Sequence, residues 1–334
     1  MKQFFLPVAF LFCLLSGSAQ NERSLHFTIE KLADGVYAAI ATNGGFAICN
    51  AGIIDLGGQT LVFDPFMTPE AAVDLRQLAE KLTGHKVTYV VNSHFHNDHI
   101  GGNQVFEDAV LISTERTREL ILQYQPVEIA EVKTSARPAL EKMLQRNREA
   151  KDPHEVEESR IWKGYYEALV RSADTLRTVA PAVTFAKRLE MHGSRRHVLL
   201  LCYGEGHTES DLFLYLPEEK IAFLGDLLFV GDQPWVGDGN TASWTNYLDS
   251  IKQLKAEVLV PGHGPVGNYT HLDSMKLYFR HLHDRARAYH SIHKLPQDDG
   301  TMQAPAPFNS WHLDNFYKPN VIAVYNRMYP AKKD

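Results

Sequence analysis

The 334-residue sequence predicts an α/β fold, and three observations carry that prediction. Short apolar or alternating runs, bounded by glycine and asparagine, recur along the chain as strands and turns do. Between two of them, residues 68–84 carry the start signal, apolar spacing and stop signal of a helix. Several of the runs deliver a histidine or an aspartate directly at their C-terminal end, the edge at which open α/β sheets place their sites.

The first nineteen residues stand apart. Lys2 precedes an apolar stretch from Phe4 to Leu15, followed by the small residues Ser16-Gly17-Ser18-Ala19. This order is that of a secretory signal peptide cleaved after Ala19, so a periplasmic or secreted protein is expected. Twelve apolar residues are too few to span a bilayer, and no other segment approaches that length, so no stable membrane anchor is expected. The net charge of −6 argues against a nucleic-acid partner, which needs a basic surface, and leaves a small-molecule substrate. Residues 20–334 read as a single domain. Cys49 and Cys202 both sit in apolar runs and read as small core residues.

The elements follow in order. Gly35–Ile40, Phe46–Ile54 and Thr60–Phe63 read as strands, separated by Asn43-Gly44-Gly45 and Gly57-Gly58. Thr68 caps a helix that has Pro69 in its first turn and apolar positions at Ala72, Leu75, Ala79 and Leu82; Gly84 ends it. Val87–Val91 is a buried strand. Residues 115–181 change character: they are charged, Pro126, Pro138 and Pro153 read as breaks, and Trp162, Tyr165, Tyr166 and Leu169 follow a 3.6-residue period. This is a helical insertion, and its aromatic stripe reads as core. Strands resume at about 183–189 and 198–203, then at Leu212–Leu216, Ile221–Leu224 and Val258–Val260. From about 270 to 334 the chain is a helical tail with an irregular end. His281, His283, His290 and His293 read there as a solvated helix face. Trp235, Trp244 and Tyr247 are either core or pocket wall.

The strand at Val87–Val91 runs into Asn-Ser-His-Phe-His-Asn-Asp-His-Ile-Gly-Gly, residues 92–102. His94 and His96 are two apart and share one side of an extended segment. Asp98 and His99 follow as the chain turns. Four metal-capable side chains in six positions need partners from elsewhere, and three strand ends supply them: His207 in Gly206-His207-Thr208, Asp226 in Gly225-Asp226, and His263 in Pro261-Gly262-His263-Gly264. The flanking glycines let the backbone come close. Imidazole and carboxylate donors suit zinc, and also iron or manganese.

The set His94-x-His96-x-Asp98-His99, then His207, Asp226 and His263, resembles the metallo-β-lactamase superfamily in order and local context. The stretch from Asn50 to Asp64 resembles that family's opening strands. The resemblance covers about 30–114 and 182–268, and it implies an αββα sandwich of two mixed sheets, with the insertion 115–181 added. It further implies that His94, His96 and His207 hold one metal, that Asp98, His99 and His263 hold a second, and that Asp226 bridges both. An aspartate at 226 resembles the glyoxalase II and lactonase branch. Two zinc ions about 3.5–4 Å apart could hold a water deprotonated near pH 7, with Asp98 orienting it or carrying a proton to the leaving group. The expected activity is hydrolysis of an ester, lactone, thioester or β-lactam. Two alternatives stand beside it: a mononuclear iron persulfide dioxygenase on the same fold, and a metal-binding protein without catalysis. Closed structural zinc sites are rarely binuclear, which makes the last the weakest.

Overall fold

Apolar runs alternate with polar turns up to Phe63, and the chain accordingly begins as a meander. In the computed structural model, which describes residues 24–330, strands β1 (Phe27–Ala33), β2 (Val36–Ala41), β3 (Ala51–Asp55) and β4 (Thr60–Phe63) pair antiparallel in sequence order. Helix α1 (Pro69–Thr83) then crosses over, so β5 (Val87–Val91) joins β4 in parallel. Thr68 caps α1 by accepting from the Ala71 amide, and Gly84 ends it at φ +74°, as the sequence predicts. After the one-turn helix α2 (Asn97–Ile100), β6 (Val110–Thr114) extends the parallel half.

Two helices follow in the stretch expected to be helical, α3 (Glu115–Glu149) and α4 (Pro153–Ser172). Pro126 and Pro138 do not break α3 as expected. Each removes one backbone donor, and the helix runs on through both, packing its first turns on Phe95 and Ile100 and its middle, around Ala136, on α4. Pro153 occupies the first turn of α4, behind the Asp152 cap.

The run predicted at 183–189 divides between two sheets. Strand β7 (Val183–Phe185) closes the first sheet beside β6, giving the order β1 to β7. Strand β8 (Arg188–His192) opens the second, which continues through β9 (His197–Cys202), β10 (Leu212–Leu216) and β11 (Ile221–Phe223) as antiparallel neighbours. Helix α5 (Thr241–Gln253) returns the chain to β12 (Val258–Val260), parallel to β11. The C-terminal part is more ordered than expected. It forms α6 (Tyr269–Ser291) and, after short turns, α7 (Tyr317–Met328), which packs on α6. Of the four histidines read as a solvated face, His290 and His293 are exposed, whereas His281 and His283 are half-buried and meet the Tyr317 hydroxyl and Thr241 Oγ1, each at 2.7 Å.

Three apolar layers hold this together. Phe63, Ile54, Leu200, Leu214 and Phe223 fill the space between the sheets. Each fully buried side chain of this size contributes roughly 1.5–3 kcal/mol. Val62, Phe66, Leu75 and Phe106 join the first sheet to α1. Trp244, Leu248, Phe279 and Val321 join the second sheet to α5, α6 and α7. The order helix, sheet, sheet, helix is the expected αββα sandwich. Cys49 and Cys202 are buried and unpaired. No described helix is long and apolar enough to cross a membrane. The signal-peptide reading falls on residues outside the described ones.

Candidate metal centre

Strand direction decides where the polar residues meet. β9 and β11 both run antiparallel to β10, and β12 is parallel to β11, so all three end at one edge of the second sheet. Their extensions carry His207, Asp226 and His263. β5 ends at the facing edge of the first sheet and carries His94 and His96, with Asp98 and His99 on α2. The edges are stitched by the Leu212 amide donating to the Ser93 carbonyl at 2.9 Å. Asn50 donates to the carbonyls of Pro261 and Gly264, which fixes the loop of His263. Gly262 is required: a Cβ there would lie 1.9 Å from Asp226 Oδ1.

All seven predicted residues come together, in two groups whose donor atoms lie within 4.8 Å of one another: His94, His96, His207 and Asp226, and beside them Asp98, His99 and His263. Asp226 faces both. Its Oδ2 lies 3.2 Å from His207 Nε2, and its Oδ1 lies 3.0 Å from His99 Nε2 and 3.4 Å from His263 Nε2. Asp98 Oδ2 is 3.3 Å from His263 Nε2.

The outer contacts set the tautomers. His207 Nδ1 faces the Trp235 carbonyl at 3.0 Å, and a carbonyl only accepts, so the ring proton sits on Nδ1. His96 Nε2 faces Asp238 Oδ2 at 3.2 Å, and His99 Nδ1 faces Asp64 Oδ2 at 2.8 Å, which places their protons outward as well. With the proton held outward, the inward nitrogen of each ring presents a lone pair once that ring is neutral. His96 Nδ1 and His207 Nε2 stand 2.9 Å apart. His94 Nε2 is buried with no hydrogen-bond partner, and His99 Nε2 and Asp226 Oδ1 face each other at 3.0 Å. Buried nitrogens and carboxylate oxygens crowded this closely need cations among them, either protons on the rings or metal ions, and the donor set fits metal ions.

The charge states divide the cluster: His94 and His207 are neutral, whereas against burial the acids around them lift His99 well above its ordinary value and also raise His96. Burial drives the His94 imidazole well below its ordinary value and His207 to about 3, so both are neutral at pH 7. Burial alone would raise Asp226 and Asp98. The imidazoles of His99 and His263 instead draw Asp226 well below the carboxylate range and Asp98 to about 2. Burial opposes charge on His263, yet Asp226 and Asp98 lift it to about 10. Metal would displace that proton, since ligating imidazole must be neutral.

Sequence reasoning missed the residues behind the ligands. Asp64 is fully buried, accepts from the Ser93 amide at 2.7 Å and holds His99. Its signal was available: it follows β4 as a carboxylate directly after an apolar strand, the pattern of the ligands themselves. Asp238 also accepts from Trp235 Nε1 at 2.8 Å, and nothing in its loop distinguishes it.

Above the metal-facing residues opens a cavity of about 1000 Å³. α3 contributes Glu128, Glu131 and Val132, and α4 contributes Arg160, Trp162, Tyr165 and Tyr166. The aromatic stripe read as core thus lines the cavity while its flanks pack on Ala136 and Leu169. Trp235 is also a wall, whereas Trp244 and Tyr247 are core. Leu313 and Phe316 close the far side. That side is tied to α4 by Glu158, which accepts from the Leu313 amide and from Trp162 Nε1 and pairs with His312 Nδ1 at 3.4 Å. His154, Glu158 and His312 also bring donor atoms together, but the two rings stack at 11°, whereas the rings of His96 and His207 meet at 86°. The former group is an ion-paired clamp.

Comparison with known proteins follows this geometry. The metallo-beta-lactamase superfamily model matches residues 44–129 and 141–263, more than half of the chain and including parts of α3 and all of α4. The chain is 24% identical over 316 residues to the beta-lactamase-like protein 2 homolog of Caenorhabditis elegans, covering 91% of this chain and 85% of that one. It is 22% identical over 278 residues to the metallo-beta-lactamase type 2 of Pseudomonas aeruginosa, covering 80% and 89%. Among solved structures it is similar to a metallo-beta-lactamase from Pontibacter korlensis, with a TM-score of 0.55 and 19% identity over 76% of this chain and 99% of that one. With all seven candidate ligands on the facing edges of its two sheets, the chain belongs to the metallo-beta-lactamase superfamily.

Proposed function

We propose that the protein is an exported, dinuclear metal-dependent hydrolase acting on a carboxylic acid derivative: an ester, lactone, thioester or β-lactam. The observation that carries this reading is the gathering of seven histidine and aspartate donors into two adjoining groups, with an Asp226 whose two oxygens face both. His94, His96 and His207 would hold one ion, Asp98, His99 and His263 the other, and Asp226 both. Zinc suits this donor set best; iron and manganese are also compatible. When bound, two such cations supply a water activated near neutral pH and polarise a substrate carbonyl.

The remaining steps belong to the chain. Asp98, ionised and at the cavity floor, presents an acceptor oxygen that orients the attacking water and carries its proton toward the leaving group. Asp64 and Asp238 keep His99 and His96 in their ligating tautomers. The walls from α3 and α4 position the acyl compound and exclude bulk water. Export rests on the order of residues 1–19.

The test is a panel of nitrocefin, a homoserine lactone, a carboxylic thioester, an aryl ester and a phosphodiester, with metal analysis of the same preparation. The expected outcome is about two metal ions per chain and turnover of a carbonyl substrate. Asp226→Ala should lower that turnover by about 10³-fold or more, ~4 kcal/mol of transition-state stabilisation. Turnover confined to the phosphodiester, or oxygen consumption with a persulfide, overturns the reading.

A further inference from the structure

The cavity above the ligands is lined unevenly in charge. Outside the metal-facing set its acidic side chains are Glu128, Glu131, Asp232 and Asp238, against the single guanidinium of Arg160. Asp238 is engaged by His96 and Trp235, and Arg160 faces Glu157 at 3.7 Å. No hydrogen bond or ion pair among the described residues reaches the carboxylates of Glu128, Glu131 or Asp232; of the two on α3, Glu131 is exposed, whereas Glu128 is half-buried and lines the cavity. Burial raises it, His96 offsets part of that, and Asp98 and Asp238 add like charge. A carboxylate withdrawn from water among other acids is costly unless a positive group joins it.

What lies beside Glu128 is aromatic. Glu128 lies one turn before Val132 on α3, and Val132 packs in one cluster with Tyr165 and Tyr166 of α4, which places this acid beside the aromatic side chains. Trp162 packs edge-on against Tyr165 with ring centroids 5.8 Å apart, and Tyr166 adjoins both. A wall of π faces with an unpaired carboxylate at its edge attracts a cation and repels an anion.

We propose that the substrate carries an ammonium or quaternary nitrogen seated between Glu128 and the rings of Trp162, Tyr165 and Tyr166, and that Glu128 determines this specificity. This rests on the hydrolase reading of the site, whose floor would hold the acyl carbon while the cationic end occupies the wall. An anionic substituent at the same position would meet the Glu128 carboxylate, with Glu131 and Asp238 adding like charge.

The experiment uses the zinc-loaded full chain and has two arms. In the first, calorimetry compares benzyltrimethylammonium, which cannot ligate a metal, with the neutral 3-phenylpropanol. The ammonium should bind at least about tenfold more tightly, and Glu128→Gln should shrink the ratio about fivefold or more while metal content holds. In the second, kcat/KM is compared for three aryl esters that differ only in a remote trimethylammonium, tert-butyl or sulfonate group. The order should be cation, neutral, anion, and Glu128→Lys should reverse it. If no ester is hydrolysed but the ammonium ratio persists and falls in Glu128→Gln, the cation site stands and the hydrolase reading fails. If the esters are hydrolysed without preference for the cation, or if Glu128→Gln leaves both ratios unchanged, the cation site is wrong and the hydrolase reading is unaffected.

Discussion

The floor of the cavity and its wall are built on opposite principles. On the floor, ligands leave the ends of β5, β9, β11 and β12, whose strands are buried on both faces, and outer partners lock His96, His99 and His207 in one tautomer. The wall is the pair α3 and α4, which bury one small cluster around Met67, Ala136, Ala168 and Leu169, while the first turns of α3 pack Leu120 and Ile121 on Phe95 and Ile100 of the ligand loop. The floor holds atoms in place for chemistry, and the wall presents a surface that can vary without disturbing them. Changes to the floor should therefore act on metal and turnover together. Changes to the wall should act on substrate preference alone.

The largest effect should come from the buried carboxylate behind the floor. Asp64→Asn keeps the volume but offers His99 an amide in place of an anion. Metal affinity at the second cluster should fall about 10–100-fold, read by competition with a chelator, with kcat falling in step. Asp238→Asn should do the same to the first cluster, by less, because Asp238 is half-exposed while Asp64 is fully buried. Unchanged metal affinity in Asp64→Asn would show that the floor does not need its outer contacts.

The wall should respond differently. Trp162→Ala removes a large ring from α4. The expected result is a rise of about tenfold in KM for bulky aryl esters, ~1.4 kcal/mol, with kcat for a small ester and metal content within about twofold of wild type. A loss of metal in this variant would erase the distinction between wall and floor.

The smallest effect concerns the clamp that joins the wall to the C-terminal segment. The Glu158 carboxylate raises the His312 pKa, and burial only partly opposes it. A raised folded-state pKa adds stability that is full below about pH 6.5 and is lost as pH rises through the folded value. His312→Gln should therefore lower Tm by a few degrees at pH 6 and by less at pH 9. Equal losses at both pH values would mean that the pair contributes packing and no charge.

The same division decided what the sequence made legible. His94, His96, Asp98, His99, His207, Asp226 and His263 could be read because each follows an apolar run, and a polar donor at a strand end is conspicuous against its neighbours. Thr68, Pro69 and Gly84 could be read because caps are local. Asp64 obeyed the strand-end pattern too, but its partner His99 is distant in sequence and only the fold joins them. The split of 183–189 between two sheets was hidden because a β run does not record which sheet it pairs with. Pro126 and Pro138 misled because a helix can tolerate the loss of single hydrogen bonds where packing on a neighbour sustains it. Glu128 carries no sequence signal at all; it is one of many glutamates on a charged helix, set apart by being half-buried where α3 lines the cavity.

The ligands are divided between the two sheets, with His94 to His99 supplied by one and His207, Asp226 and His263 by the other. Neither half can assemble the site by itself, since more than a hundred residues separate His99 from His207. Tight metal capture is thus a signature of completed folding. A chain whose second sheet has not docked offers an ion only scattered donors, and one whose sheets have docked is riveted across the seam by every ion it binds, gaining stability with the free metal concentration.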